Sequence, residues 1–170
     1  MRLIEDLRAK ARRKYGKDGT AGVIKALLSD GSFAMLCYRT MQWSNRHRIV
    51  PLAMICNKAG AFFGQCLIGR RADFGREFVL LHSQGVVINS AVTGGDRIFI
   101  EHQVTIGATE RGAPRLGNDI TVGCGAKILG PVTIGDGVRV GANAVVVKDV
   151  PAGATVGGVP ARIIGGTDRV

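Results

Sequence analysis

Two spacings of apolar residues divide this chain near residue 65. Before that point, apolar side chains recur every three or four residues, as in Leu3, Ile4 and Leu7, which is the spacing of one face of an α-helix. Later groups with the same spacing are Val23, Leu27 and Leu28, followed by Phe33, Leu36, Cys37 and Met41. Gly, Asp and Ser interrupt the pattern at residues 16–20 and 30–32, and such residues end one helix and cap the next. The first part therefore predicts three or four short helices.

From Ile68 onward the period is six residues. The clearest stretch runs from Leu116 to Pro151 and reads LGNDIT, VGCGAK, ILGPVT, IGDGVR, VGANAV and VVKDVP. The first position is a branched aliphatic residue, and the fifth is aliphatic or Ala. The frame continues back to Ile68, with two extra residues in 80–88 and four extra residues in 106–116. This repeat predicts short parallel strands stacked as the coils of a solenoid, with the first positions in its core.

The change of period also predicts the organisation of the chain. We expect an N-terminal helical region at residues 1–65, a repeat domain at residues 66–166 and a short tail at residues 167–170. The fold class is mainly β. Because a single repeat cannot bury its apolar side alone, neighbouring coils must stabilise one another.

Stacking of the coils places chemically useful side chains in one column. With three six-residue sides per coil, residues 18 apart lie about 4.8 Å apart on neighbouring coils. When the extra residues are added, the separations of His82, His102, Cys124 and Ala142 match whole coils. Two imidazoles followed by two small residues predict a groove that is reactive at one end and open to a slender ligand at the other.

Three segments of the repeat region resemble a known superfamily. VGCGAKILG, VGANAVVVKDVP and GGVPARIIG are similar to the hexapeptide-repeat acyltransferases, and the likeness runs from about Asp30 to Gly165. The resemblance implies a left-handed parallel β-helix, acetyl-CoA as co-substrate and a homotrimer with active sites between subunits. Within the superfamily the chain looks most like serine acetyltransferases and their relatives that acetylate polysaccharides of the colanic acid and capsule type.

The same resemblance suggests the catalytic groups. LLHSQGVV is similar to the segment that carries the catalytic histidine of serine acetyltransferases, which gives that role to His82, with His102 as a second candidate. A neutral imidazole accepts a proton from a hydroxyl as its oxygen attacks a thioester. Main-chain N–H groups near the second insertion are candidates to stabilise the oxyanion. We expect direct transfer rather than a covalent intermediate on Cys124.

Positions matching the family's cofactor site include small and basic residues. Ala108, Cys124 and Ala142 stand where the family runs its main chain beside the pantetheine arm, and Lys148 and Arg162 match basic residues near the nucleotide. Small side chains leave room for the arm, and cations suit its phosphates. No metal is expected.

The chain departs from the serine acetyltransferase pattern around the acceptor. That family carries an aspartate just before the catalytic histidine, another about fifteen residues earlier and an Arg-His pair in the second insertion, where this chain has Leu81, Leu67 and then Gly112 with Ala113. Zwitterionic serine needs charged partners for its ammonium and carboxylate groups. We therefore expect a sugar hydroxyl on a polysaccharide or lipid-linked acceptor, with serine as the alternative.

These departures leave two further questions to the structure. Arg111 and Arg115 are candidates to bind an acidic sugar. The carboxylate that usually orients the catalytic ring is also missing, and Glu101, Asp96, Glu77 or a main-chain carbonyl are the candidates to replace it.

Composition and charge narrow the setting. A 46% hydrophobic content supports a folded core, and four cysteines without a CxxC pair, together with the lack of a secretory signal, favour the cytoplasm. The net charge of +10 suggests an anionic partner. Because the basic start of the chain is compatible with peripheral contact at a membrane, the inner membrane face is a second location. Binding of nucleic acid is not expected, because the basic run contains a single aromatic residue, Tyr15, and bases stack on several aromatic side chains in such sites.

Two other functions fit parts of the pattern. A zinc carbonic anhydrase on this fold needs three ligands, and the third histidine, His47, lies in the helical part. A non-catalytic scaffold would use the repeats only as a stack and would not bind acetyl-CoA.

Overall fold

The N-terminal part folds into four helices, in agreement with the apolar spacing. The structure is a computed structural model that describes residues 2–165. The helices are α1 (Leu3–Tyr15), α2 (Thr20–Leu27), α3 (Ser32–Arg46) and α4 (Val50–Phe62). Helix α1 ends at Gly16, whose left-handed conformation (φ 66°) lets its N–H bond to the Arg12 carbonyl. Both predicted helix breaks are confirmed.

Fifteen short strands follow. They are β1 (Cys66–Ile68), β2 (Asp73–Phe74), β3 (Phe78–Leu80), β4 (Val86–Ile88), β5 (Thr93–Gly94), β6 (Ile98–Ile100), β7 (Thr105–Gly107), β8 (Arg115–Leu116), β9 (Thr121–Val122), β10 (Lys127–Leu129), β11 (Thr133–Ile134), β12 (Arg139–Val140), β13 (Val145–Val146), β14 (Thr155–Gly157) and β15 (Arg162–Gly165).

Up to β13, every third described strand joins the same sheet, and β14 then extends the sheet of β12. The strand orders are β1-β4-β7-β10-β13 in sheet A, β2-β5-β8-β11 in sheet B and β3-β6-β9-β12-β14 in sheet C, all parallel. Strand β15 turns back and pairs antiparallel with β14, which covers the last coil. The result is the expected left-handed parallel β-helix, with about five coils.

The six-residue frame describes the core directly. The aliphatic first positions and the fifth positions of the repeats from Leu116 to Pro151 are at most 6% exposed. On the earlier coils two first positions, Phe74 and Gly94, are not aliphatic, and they pair with each other on neighbouring coils. A Cβ on Gly94 would lie 2.4 Å from the Phe74 ring, so the aromatic side chain fills the space that an aliphatic one takes elsewhere.

A buried ion pair joins the helices to the first coil. The Asp6 carboxylate accepts hydrogen bonds from Arg39 at 2.6 and 2.9 Å and from the Phe78 N–H at 3.0 Å. Arg39 also donates to the carbonyls of Phe74 and Gly75. These contacts tie α1 and α3 to the first coil, although burial outweighs them enough to raise the pKa of Asp6. Removing either partner would leave the other buried charge uncompensated.

The structure bears on the predicted tail and on membrane-spanning helices in different ways. Residue 166 and the tail at residues 167–170 lie outside the described residues. Within residues 2–165, no single helix has both the length and the apolar composition to cross a membrane; α2 and α3 reach that threshold only when taken together, and they are bent by 91°.

Candidate active site

The predicted column is formed at the corner between sheets C and A. The rings of His82 and His102 lie edge-on, with centroids 6.1 Å apart. On the following coils, the Gly125 N–H donates to the His102 carbonyl at 2.9 Å, and the Asn143 N–H donates to the Cys124 carbonyl at 2.8 Å. The turns that hold His82, His102, Cys124 and Ala142 therefore stack in the expected order.

His82 has a carboxylate partner that the sequence analysis did not identify. Its Nδ1 lies 3.0 Å from Oδ2 of Asp30, in the connection between α2 and α3. The Ser83 hydroxyl donates to the other carboxylate oxygen at 3.3 Å. Partial burial would raise the pKa of Asp30, but the hydrogen bond to His82, the Gly31 N–H and the His82 charge together hold that pKa below its usual value.

None of the three acidic residues proposed from the sequence contacts His82. Glu77 pairs with Arg12 at 2.9 Å, and Asp96 accepts a hydrogen bond from the Arg76 N–H at 2.7 Å. Among residues 2–165, the carboxylate that the His82 ring meets is that of Asp30, not that of Glu101. The expectation that Glu77, Asp96 or Glu101 orients His82 is therefore wrong.

Asp30 was missed because it lies 52 residues before His82 and in the helical region. The spacing of apolar residues predicts only a helix break at residues 30–32, DGS, and gives Asp30 no chemical role. One feature of the sequence could have indicated Asp30. It is an acidic residue in a predicted turn, and the repeat region that follows has leucine at the two positions where serine acetyltransferases carry aspartate.

A cavity opens beside this carboxylate. Its volume is about 230 Å³. Its side-chain walls include apolar Leu28, Phe33 and Phe63 and polar Gln65, Ser83 and Gln84. Among the residues that line it, Asp30 carries the only charge. The cavity thus offers an anion, amide and hydroxyl groups and apolar surface, but no cation.

The candidate cofactor residues lie at two corners of the β-helix. Cys124 and Ala142 continue the histidine corner between sheets C and A, whereas Ala108 follows β7 and Lys148 follows β13, both in sheet A. Ala108 and Cys124 are partly exposed and Ala142 is exposed, so a slender chain passing them would meet side chains no larger than a thiol. Lys148 and Arg162 are exposed near the last coil. The Ala161 N–H donates to the Val145 carbonyl at 2.8 Å, which holds the segment before Arg162 against β13.

The two arginines proposed for an acidic sugar lie elsewhere. Arg111 is exposed in a short turn closed by hydrogen bonds between Thr109 and Gly112 at 2.9 and 3.1 Å. Arg115 is in β8, on sheet B, whereas the histidine corner joins sheets C and A. Within this chain, the structure does not bring Arg115 to His82.

The basic N-terminus is partly neutralised by the fold. Lys10 is fully buried, and Arg12 pairs with both Asp18 and Glu77. The Arg13 guanidinium lies over the Phe99 ring at 5.3 Å from its centroid. Several charges that were expected to face a partner therefore face the protein.

No metal centre is found in the described part of the chain. Among residues 2–165, no three His, Cys, Asp or Glu side chains are grouped as a metal ion would require. His47, the third ligand needed by the carbonic anhydrase alternative, packs against Trp43 at the end of α3.

Sequence comparisons agree with this architecture. The family model described as bacterial transferase hexapeptide (six repeats) matches residues 113–148. Serine acetyltransferase of Helicobacter pylori J99 is 39% identical over 142 residues, which cover 81% of this chain and 83% of the relative. Serine acetyltransferase 1 of Arabidopsis thaliana, a chloroplast protein, is 40% identical over 131 residues, covering 75% of this chain and 41% of that one.

Solved structures give the same result. Serine acetyltransferase of Vibrio cholerae superposes with a TM-score of 0.89 and 30% identity over 98% of this chain and 66% of that one. The Brucella abortus enzyme in complex with coenzyme A has a TM-score of 0.84 and 30% identity, over 97% and 68% of the two chains. This chain thus spans 41% of the Arabidopsis relative and 66% of the Vibrio structure.

The coils, the histidine corner and the matching repeat model define a hexapeptide-repeat transferase. Within that class, the chain belongs to the serine acetyltransferase family, since the Helicobacter relative is matched over most of both chains. These matches do not support the expected closeness to polysaccharide O-acetyltransferases.

Proposed function

We propose that this protein is an acetyl-CoA-dependent O-acetyltransferase with His82 as its general base. The observation that carries the proposal is the placement of the His82 ring. The ring stands at one end of the column that continues to Cys124 and Ala142, and its Nδ1 is hydrogen-bonded to the Asp30 carboxylate. A base held in this way is suited to deprotonate a hydroxyl beside a bound thioester.

The reaction is direct transfer. The acceptor hydroxyl oxygen attacks the carbonyl carbon of the acetyl thioester while the hydroxyl proton passes to Nε2 of His82. The tetrahedral intermediate collapses as the C–S bond breaks, and the imidazolium returns the proton to the leaving sulfur. Main-chain N–H groups of the second insertion are the candidate donors to the oxyanion. The ester and free coenzyme A are the products.

The described residues fit coenzyme A. Small side chains at Cys124 and Ala142 leave room for a pantetheine arm along the histidine corner, and Ala108 leaves room at the next corner, after β7. Lys148 and Arg162 supply positive charge for phosphates. Solved relatives support this proposal, because two serine acetyltransferase structures are complexes with coenzyme A.

L-Serine is the acceptor that the relatives favour. The Helicobacter, Synechococcus and Arabidopsis proteins that match this chain are all named serine acetyltransferases. The cavity beside Asp30 is lined by one charged side chain, that of Asp30 itself, and a carboxylate suits the ammonium group of an amino acid. This acceptor replaces our sequence-based preference as the first candidate.

A neutral sugar hydroxyl is the second candidate, and one specific observation favours it. No cation is among the residues that line the cavity, so a serine carboxylate would find no charged partner in its walls. Phe33 and Phe63 offer apolar surface there and Gln65 and Gln84 offer amides, a combination suited to a sugar ring.

One assay tests the function and separates the acceptors. A thiol reagent would follow release of coenzyme A from acetyl-CoA, with L-serine and a panel of neutral and acidic oligosaccharides as acceptors. The His82→Ala variant should lose the acceptor-stimulated release, while the control His47→Ala, which changes an exposed histidine in the helical region, should keep it. Unchanged release by His82→Ala would refute the base assignment, and the acceptor that stimulates wild type names the substrate class.

We further propose a homotrimer, as the resemblance to hexapeptide-repeat transferases implies. A trimer would place a neighbouring chain beside the corner, where a cation for an acidic acceptor is missing. Light scattering with a monomeric mass would contradict this assembly. The four cysteines are unpaired thiols, which supports a reducing compartment such as the cytoplasm.

Peripheral membrane contact by the N-terminus has less support, because Lys10 is buried and Arg12 is paired.

A further inference from the structure

We infer that Asp30 is the positioning residue for His82, supplied by the helical region in place of a carboxylate from the β-helix. This inference rests on the proposed function, because it assigns Asp30 a role through the base His82. It extends that proposal by making the connection between α2 and α3 part of the active site.

The Asp30 carboxylate contacts two consecutive residues. Oδ2 lies 3.0 Å from Nδ1 of His82, and Oδ1 accepts a hydrogen bond from the Ser83 hydroxyl at 3.3 Å. With both oxygens engaged, the carboxylate is held in one orientation. Its contact with His82 favours the tautomer with the proton on Nδ1, which leaves Nε2 free to accept a proton from the acceptor.

The β-helix itself offers no carboxylate at the two positions where serine acetyltransferases have one. Leu81 is 9% exposed and packs with Ala9 and Val79, so its side chain is turned toward α1. Leu67 lies on the outer face of β1 and is 46% exposed. Because both positions are apolar, the carboxylate must come from another element, and the α2–α3 connection brings one.

That connection is held firmly against the first coil. Gly31 has φ 81°, and a Cβ there would lie 2.7 Å from the Leu80 carbonyl, two residues before His82. The buried Lys10 ammonium donates to the Asp30 carbonyl and to the Ser32 hydroxyl. Ser32 in turn donates to the Ala26 carbonyl at 2.5 Å. Helix α1 and strand β3 thus fix the main chain that carries Asp30.

Charge makes the pair useful during the reaction. Asp30 is ionised at neutral pH, since its pKa lies below the usual value despite partial burial. When His82 accepts the proton, the imidazolium forms beside a carboxylate already in place, which lowers the energy of that state without reorganisation. The side chains of Asp30 and His82 remain 43% and 46% exposed, so the effect is moderated by solvent.

The test compares Asp30→Asn with Asp18→Asn, which removes the same charge at an exposed ion pair of the helical region. Nitrogen-15 NMR of the histidine rings, with His47 and His102 as internal references, reports which nitrogen of His82 carries the proton. We expect Asp30→Asn to shift His82 away from the Nδ1–H tautomer and to lower kcat, by less than the roughly 10²–10⁴-fold that loss of the base itself costs, with little change in the KM for acetyl-CoA or for the acceptor. Asp18→Asn should change neither.

The outcomes separate this inference from the proposed function. An unchanged His82 tautomer and unchanged kcat in Asp30→Asn would overturn the positioning role, even if His82→Ala is inactive. If His82→Ala stays active, the base assignment fails, while the NMR result still shows whether Asp30 orients the ring. Asp30→Glu, which keeps the charge on a longer side chain, should recover part of the lost kcat; activity no better than that of Asp30→Asn would also count against the role.

Discussion

The ring of His102 meets the ring of His82 edge-on, with centroids 6.1 Å apart and planes at 81°. The two residues sit in equivalent turns of neighbouring coils, yet the described contacts give a carboxylate partner to His82 alone. This asymmetry assigns different roles to two residues that the sequence presented as similar.

We predict that His102→Ala is milder than His82→Ala. Loss of a general base costs roughly 10²–10⁴-fold in kcat, whereas removing a ring that only borders the base should cost less than the lower end of that range. Initial rates of coenzyme A release would measure both, with thermal unfolding as a check on folding. Equal losses in the two variants would indicate that His102 also handles the proton.

Narrowing the small-residue groove should weaken acetyl-CoA binding. Ala142→Trp places a large ring in the column below Cys124, so we expect a several-fold higher KM for acetyl-CoA. Ala152→Trp is the matched control, because Ala152 is an exposed alanine in a turn at a different corner. If both variants keep the wild-type KM, the pantetheine arm does not follow this column.

Lys10 should make folding stability depend on pH. Burial, and then the charge of Lys14, lower the pKa of Lys10 from 10.5 to about 8, although Asp30 opposes the shift. Between these pH values the unfolded chain holds a proton that the folded chain has released. The free energy of unfolding should therefore rise with pH through this window, by at most about 3 kcal/mol.

Denaturant unfolding of wild type and Lys10→Met at pH 7, 8.5 and 10 would measure this contribution as the difference between their pH slopes. Lys17→Met, at an exposed position, is the control and should retain the wild-type slope. If the unfolding free energy of Lys10→Met varies with pH as that of wild type does, burial does not lower the pKa of Lys10, and the prediction is wrong.

The buried ion pair of the helical region should dominate its stability. Asp6→Ala leaves the Arg39 guanidinium, which is 2% exposed in its side chain, without its carboxylate, and such a loss costs about 3–5 kcal/mol. Asp18→Ala breaks an exposed pair with Arg12 and should cost less than about 1 kcal/mol. Urea unfolding followed by circular dichroism compares them. Similar small losses would mean that solvent reaches Arg39.

The repeat region was predictable because each coil repeats one physical requirement. A buried aliphatic side chain is needed at every first position, so the period is visible in the sequence and it also fixes which residues stack. That arithmetic placed His82 beside His102 across two extra residues. Asp30 could not be found in this way, because its contact with His82 depends on how α2 and α3 pack on the first coil, which no periodicity records.

The Phe74 and Gly94 pair shows a second limit of the repeat frame and gives a final prediction. Gly94 stands at the first position of a repeat, where most repeats have an aliphatic residue. The Phe74 ring on the preceding coil occupies the space that an aliphatic side chain would fill. Gly94→Val would force carbon atoms into the space of Phe74 and of Ile98, whose Cδ1 lies 2.7 Å from an added Cβ. Overpacking of this kind costs about 1–3 kcal/mol. Adding Phe74→Val should recover part of that loss by emptying the space, so the double variant should unfold at higher denaturant than Gly94→Val alone. If the double variant instead loses the sum of the unfolding free energies that the two single variants lose, residues 74 and 94 do not compete for one space. The Phe74 ring would then not be the reason for glycine at position 94.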